Sequence, residues 1–312
     1  MGKFIISRII SLIPVLLGIS LLTFILIQLV PVDPAEVYLR LSQIPPTDEA
    51  VAVTRAELGL DKPLHQQYFS WLRKVARLDF GSSFVTKKPV LDELLYCFPA
   101  TIKLTAVSLV IVLLISIPLG VLSALYKNTI LDQLCRIFAF TGASMPNFWL
   151  GFVLIYFLSL KLDLLPVYGR GTPAHLVLPA TTLALGSAAV YTRLLRTSML
   201  ENLRQHFVLY ARARGLKERL VVVRHIMKNA LIPVVIAFGM TLGHMLAGSV
   251  IVENVFAWPG VGRYIVSSIF NRDYPVIQAY VLFMAVIFVL LNLIVDIICG
   301  FLDPKIRLGW DK

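Results

Sequence analysis

The chain has 312 residues, of which 58% are hydrophobic and only 15% charged, with a mean hydropathy of +0.81; this composition excludes an ordinary water-soluble domain and makes lipid the main solvent. The formal charge of +11 would suit a nucleic-acid binder, but the cations gather at the ends of apolar runs, as the positive-inside rule demands, so no nucleic acid is expected as a partner. Cys97, Cys135 and Cys299 are odd in number, widely spaced and in or beside apolar segments, which implies neither a disulfide framework nor a thiolate metal cluster.

Lys3 and Arg8 precede a first apolar run from about Ile9 to Val30. It is long enough to cross a hydrocarbon core, too long for a signal-peptide core, and followed by no small-residue cleavage site, so a retained signal anchor is expected. Pro31, Pro34, Pro45 and Pro46 end that helix, and a polar segment with an amphipathic stretch near Leu64 to Leu78 continues to about Phe98 as a small external subdomain. Residues 1–98 therefore read as one helix plus an external segment, and 99–312 as a membrane core. Further spans are predicted from about Thr101 to Tyr126, Leu134 to Leu160, Leu176 to Leu195, Leu231 to Val252 and Val276 to Leu302, with kinks at Pro118 and Pro146. Six spans make an all-α polytopic membrane protein with both termini on one side.

Charge chooses the side. Between Arg193 and Lys228 there are nine Lys or Arg against Glu201 and Glu218, and Lys127, Arg136, Lys305, Arg307 and Lys312 fall on the same face as Lys3 and Arg8. From Pro31 to Phe98, eight Lys or Arg meet nine Asp or Glu, so the external segment lacks the basic bias and the termini are expected in the cytoplasm. The basic loop is also patterned: Leu209, Tyr210, Ala213 and Leu216, then Leu220 to Val223, lend it an apolar side, and Gly215 divides two short helical pieces. Such a segment can present a knob to a soluble partner or rest on anionic membrane lipid.

The run YARARGLKERLVVVRHIMKNALIP from Tyr210 to Pro233 resembles the cytoplasmic coupling loop of ABC-importer permeases of the dipeptide, oligopeptide and nickel family. Ala211 and Gly215 match the alanine and glycine of the permease loop motif, and His225, Asn229 and Pro233 its HxxxNxxxP form; Leu209 and Tyr210 stand where the broader motif often has glutamate and alanine. LGLDKPLHQQYFSWL from Leu58, LDFGSSF from Leu78, SMPNFWL from Ser144, VFAWPGVGRY from Val255, RDYPVIQAY from Arg272 and LDPKIR from Leu302 are similar to further signatures of these permeases, in the same order. The resemblance implies a type I ABC-importer permease fold in a bacterial cytoplasmic (inner) membrane, with an ATPase-coupling loop at about 196–230 centred on Ala211, Arg212, Gly215, Leu216, His225, Asn229 and Pro233. It implies as partners a second related permease, two ATP-binding subunits and an extracytoplasmic substrate-binding protein. No GxxxxGK[ST] phosphate loop occurs, so the chain is expected to bind no cofactor, to be no enzyme, and to leave ATP and Mg to partner subunits.

Polar groups within spans are costly unless they face a cavity or a partner. Met240 and His244 share a helix face with Met245 adjacent, which offers either a transient metal contact in the pathway or a histidine hydrogen-bonded between helices; no second ligand has suitable spacing, so no stable metal site is predicted. Glu253 either attracts a cation or caps a turn and pairs with Arg263, while Pro146, Asn147, Asn292 and Asp296 are expected to be structural or gating residues. Within the family, the stretches from Arg40, Ser144 and Ile251 resemble the nickel-uptake permease most, so import of nickel as an ion or small chelate is expected. The alternatives are di- or oligopeptide import by the same machinery and, from another class, a gradient-driven secondary transporter, against which the lack of an inverted repeat argues.

Overall fold

The computed structural model describes residues 2–302, with the side chains of residues 2–9, 11, 240, 296 and 298–302 outside the description. Among these residues every extended element is a helix: α1 (Gly2–Gln28), α2 (Pro34–Leu41), α3 (Asp48–Leu58), α4 (Leu64–Val75), α5 (Val90–Leu125), α6 (Ile130–Ser144), α7 (Asn147–Leu154), α8 (Ala174–Leu203), α9 (His206–Ala213), α10 (Glu218–Leu220), α11 (Met227–Val255), α12 (Val261–Phe270) and α13 (Tyr274–Leu302). Two π-helical stretches, Ile155–Lys161 and Val221–Ile226, continue α7 and join α10 to α11. The chain divides into two compact units, Met1–Pro99 with Gly260–Leu290, and Ala100–Pro259 with Leu291–Lys312.

In the first unit the short helices are set by their ends. Asp33 accepts from the Ala35 N–H at 2.9 Å with Pro34 at the first helical position, Thr47 caps α3, and Gly59 at φ +70° closes it in the left-handed conformation. The α5 helix begins at Val90, well before the Thr101 start expected from hydropathy, because Asp92 and Glu93 in its first turn favour a helix N-terminus despite their polarity. Val90 and Leu94 pack with Val261, Val276 and Ala279. Asp273, 1% exposed, joins distant segments: the Ser83 hydroxyl donates to it at 2.5 Å and the Phe84 and Val85 N–H groups at 3.0 and 3.3 Å. The Tyr264 hydroxyl donates to Glu93 at 2.5 Å. Burial, and then that carboxylate, push the Tyr264 phenol well above its usual range, so it remains the donor.

The second unit is built on α8, against which α6, α7 and α11 pack. Its core includes Leu104, Leu183, Leu195, Met199, Val208, Val221, Ile226, Phe256 and Trp258. Close packing needs missing side chains: a Cβ on Gly142 would stand 2.8 Å from the Ala189 Cβ, and one on Gly120 2.9 Å from the Leu195 Cβ. Asp132, fully buried near the start of α6, accepts two bonds from the Arg196 guanidinium at 2.8 and 2.9 Å, one from the Ser123 hydroxyl at 2.6 Å and one from the Asn128 N–H at 3.0 Å. The basic loop expected from Arg193 is thereby shortened, since α8 continues to Leu203 and Arg196 is committed to a buried carboxylate.

Among the described residues, Val90–Leu125, Ala174–Leu203, Glu218–Gly239 and Tyr274–Val295 are unbroken helices long and apolar enough to cross a membrane, and Leu12–Gln28 is a shorter apolar one. The predicted third span is no simple rod: Ile130–Ser144 and Asn147–Lys161 are bent by 112°. A kink was expected at Pro146; instead Met145 and Pro146 are extended, and the helix stops and restarts there. Pro118, by contrast, lies within the continuous α5.

Candidate functional site: a two-faced helix and a mid-span cavity

The segment after α8 separates its apolar residues onto two faces. On α9, Val208 is fully buried and Ala211 6% exposed, both in the core of the second unit, whereas Leu209 and Tyr210 are 65% and 70% exposed. The continuation repeats the division, with Val221, Val222 and Ile226 buried and Leu220 and Val223 outward. One face holds the segment to the spans and the other offers aliphatic and aromatic surface beside Arg212, Arg214 and Lys217.

Between the faces lies a defined turn. Gly215 adopts φ +74°, its N–H donates to the Arg212 carbonyl at 2.9 Å, and the Leu216 N–H donates to the Ala211 carbonyl at 3.4 Å, a left-handed helix ending that glycine permits without strain. Arg212 closes the turn by donating twice to Glu218, at 2.6 and 3.1 Å. A Cβ built on Gly215 meets nothing within 4 Å, so within this chain only the backbone conformation asks for glycine. Thus Ala211, Arg212, Gly215 and Leu216 come together in one turn, His225 lies in the π-helical stretch, and Asn229 and Pro233 lie on the first turns of α11.

A second feature sits in the middle of the spans of the same unit. A cavity of about 300 Å³ is walled by the end of α6, the restart at Asn147 and the central turns of α8 and α11. Its polar lining is Asn147, Ser187, His244 and the hydroxyl pair of Tyr191 and Thr241, which are hydrogen-bonded to each other. Met245 contributes to the wall from a buried position, while the Met240 side chain lies outside the described residues. Glu253 is elsewhere: fully buried, it accepts from the Thr101 hydroxyl at 2.6 Å, its carbonyl accepts from the Trp258 N–H at 2.8 Å, and the Trp258 indole donates to the Ala100 carbonyl at 2.9 Å. Glu253 thus lies buried between helices, at a distance from the cavity lining. Asn292 is half-buried on α13, and the Asp296 side chain lies outside the described residues.

Residues 116–308 match the model of the binding-protein-dependent transport system inner membrane component, and residues 1–105 that of the N-terminal part of such membrane components. The chain belongs to this family of inner-membrane permeases. It is 40% identical over 308 residues to the glutathione transport system permease protein GsiC of Salmonella paratyphi A, covering 98% of this chain and 99% of that one, and 39% identical with the same coverage to GsiC of Escherichia coli K12. Among solved structures, the inward-facing MetNI methionine ABC transporter shares the fold with a TM-score of 0.56 at 21% identity, covering 67% of this chain and 96% of its own. An amino acid ABC transporter does so with a TM-score of 0.52 at 18% identity, covering 69% of this chain and 94% of its own.

The permease is therefore a membrane subunit of an ABC importer of bacterial inner membranes, not an enzyme, and ATP hydrolysis resides in partner subunits. The expectation of nickel is corrected, since these relatives do not support it and the peptide-type alternative fits them better. In one of the three stretches that suggested nickel, Val252, Glu253, Phe256, Trp258 and Val261 are all 2% exposed or less, so likeness at these residues reports helix packing.

Proposed function

We propose that this permease forms half of an ATP-driven pathway for a short peptide or peptide-like molecule in the size class of glutathione. The observation that carries this is the near-full-length 40% identity to a glutathione permease. A related second permease completes the pathway, two ATPase subunits that bind ATP and Mg drive it, and an extracytoplasmic binding protein delivers the cargo. With its termini in the cytoplasm, as the distribution of cations favours, α9 and its Gly215 turn face the ATPase. The exposed Leu209 and Tyr210 fill a groove there, while Val208 and Ala211 pass its movement to α8 and α11 as a rigid body.

Uptake by the complete importer in proteoliposomes tests both halves of this function. Glutathione and short peptides should enter with ATP and compete with one another, whereas ATP-dependent nickel uptake indifferent to peptides would overturn the substrate assignment. Gly215→Trp, whose Cβ meets nothing within 4 Å and whose left-handed backbone adds a local strain of about 1 kcal/mol, should leave the permease folded but separate ATP hydrolysis from uptake; normal coupling in that variant, with Gly215→Ala as the control for backbone strain, would overturn the docking assignment.

A further inference from the structure

The cavity at the Asn147 restart lies near the midpoint of the helices that wall it. Gly186 and Ser187 stand close to the centre of the thirty-residue α8, and His244 near the centre of the 29-residue α11. At a rise of about 1.5 Å per residue, this is the depth at which water is scarce and an unsatisfied polar group is most costly. Yet the Asn147 amide and the Ser187 hydroxyl have no hydrogen-bond partner among the described residues, although neighbouring Thr182 and Thr192 both return a bond to their own helix. Glycines keep the space open around them. The Asn147 Oδ1 lies 3.7 Å from where a Cβ on Gly186 would be, and its Nδ2 lies 3.6 Å from where one on Gly248 would be.

We propose that Asn147 and Ser187, with His244 beside them, make the passing contact with the peptide backbone of the cargo. The assignment rests on the peptide-import function proposed above. A carboxamide carries one acceptor and two donors on a plane, the same set that a peptide unit presents, so Asn147 can pair with a backbone N–H and C=O whatever the cargo's side chains are. Ser187 adds a donor that turns to suit. The lining carries no Asp, Glu, Lys or Arg, so it satisfies the cargo without holding it, as a conduction path requires. The cavity volume of about 300 Å³ is on the scale of a short peptide and far exceeds that of a bare ion.

The test is uptake per ATP hydrolysed by the complete importer, with one binding protein throughout so that its own selectivity cancels between variants. Asn147→Leu and Ser187→Ala should lower tripeptide uptake per ATP about fivefold, the effect of one neutral hydrogen bond. They should also shrink the advantage of a tripeptide over its backbone N-methylated form; Asn147→Gln should restore both. Gly248→Ala, whose methyl fits without a clash, should depress tripeptide more than dipeptide uptake, and it decides the matter should Asn147→Leu fail to assemble. A wild-type importer that moves peptides while these variants keep its uptake and both ratios overturns the backbone contact alone. A wild-type importer that moves no peptide overturns the proposed function and this contact with it.

Discussion

Arg196→Met is the most informative single change in the second unit. The substitution removes two charge-assisted bonds, at 2.8 and 2.9 Å, from a carboxylate that is fully buried. Stripping one partner from a buried ion pair costs about 3–5 kcal/mol. The lower end applies, because Asp132 keeps the Ser123 hydroxyl and the Asn128 N–H, and Arg136 at 3.9 Å supplies part of the missing charge. A loss of about 3 kcal/mol follows, whereas Arg193→Met, three residues away and exposed, should change stability by under about 0.5 kcal/mol. Asp132→Leu strands a guanidinium that is 18% exposed and can reach water, but it also orphans the buried Ser123 hydroxyl and the Asn128 N–H, so it should cost at least as much as Arg196→Met. The pair Asp132→Leu with Arg196→Met should recover about 2 kcal/mol of the summed single losses, the sign of direct coupling. Equilibrium unfolding of the four variants in one detergent reads all of this. Equal losses for Arg193→Met and Arg196→Met, or a double variant that merely sums the singles, would refute the reasoning.

Two further outcomes are expected. Gly239→Ala should abolish folded permease, because its methyl would overlap Val295 Cγ1 and lie 2.8 and 2.9 Å from Val295 Cγ2 and Cβ; Val295→Ala in the same chain should restore the yield in size-exclusion chromatography. Asp273→Ala should open the first unit to limited proteolysis near Ser83, since it orphans the Ser83 hydroxyl and the Phe84 N–H at a cost of about 2–4 kcal/mol, whereas Asp273→Asn should be milder because it keeps an acceptor.

Apolar runs and their charged ends made the helical membrane class readable from sequence, and the Tyr210 to Pro233 stretch made the family readable. What sequence withheld depended on distance or on backbone breaks. Arg196 counted as one more cation of a loop, because its partner lies 64 residues earlier and no local spacing links the two. Only the weaker Arg136 contact, four residues from Asp132 on one helix, follows a pattern visible in sequence. Pro146 announced a disturbance but not a 112° bend, and the bend is what brings Asn147 to the same cavity as Ser187 and His244. The π-helical Val221–Ile226 was equally hidden, since a wider turn shifts which valines face inward without changing composition. Part of the likeness to the nickel branch lay at buried positions such as Val252, Phe256 and Trp258, where sequence reports packing and not cargo.

The two-faced α9 has a consequence for how the importer is made. A permease copy inserted before it meets an ATPase holds Leu209 and Tyr210, 65% and 70% exposed, outside any partner. Surface of that kind invites self-association and recognition by proteases. On the docking proposed here, an orphan subunit carries its own mark for disposal, and a cell that made permease and ATPase in unequal amounts would keep only the matched ones.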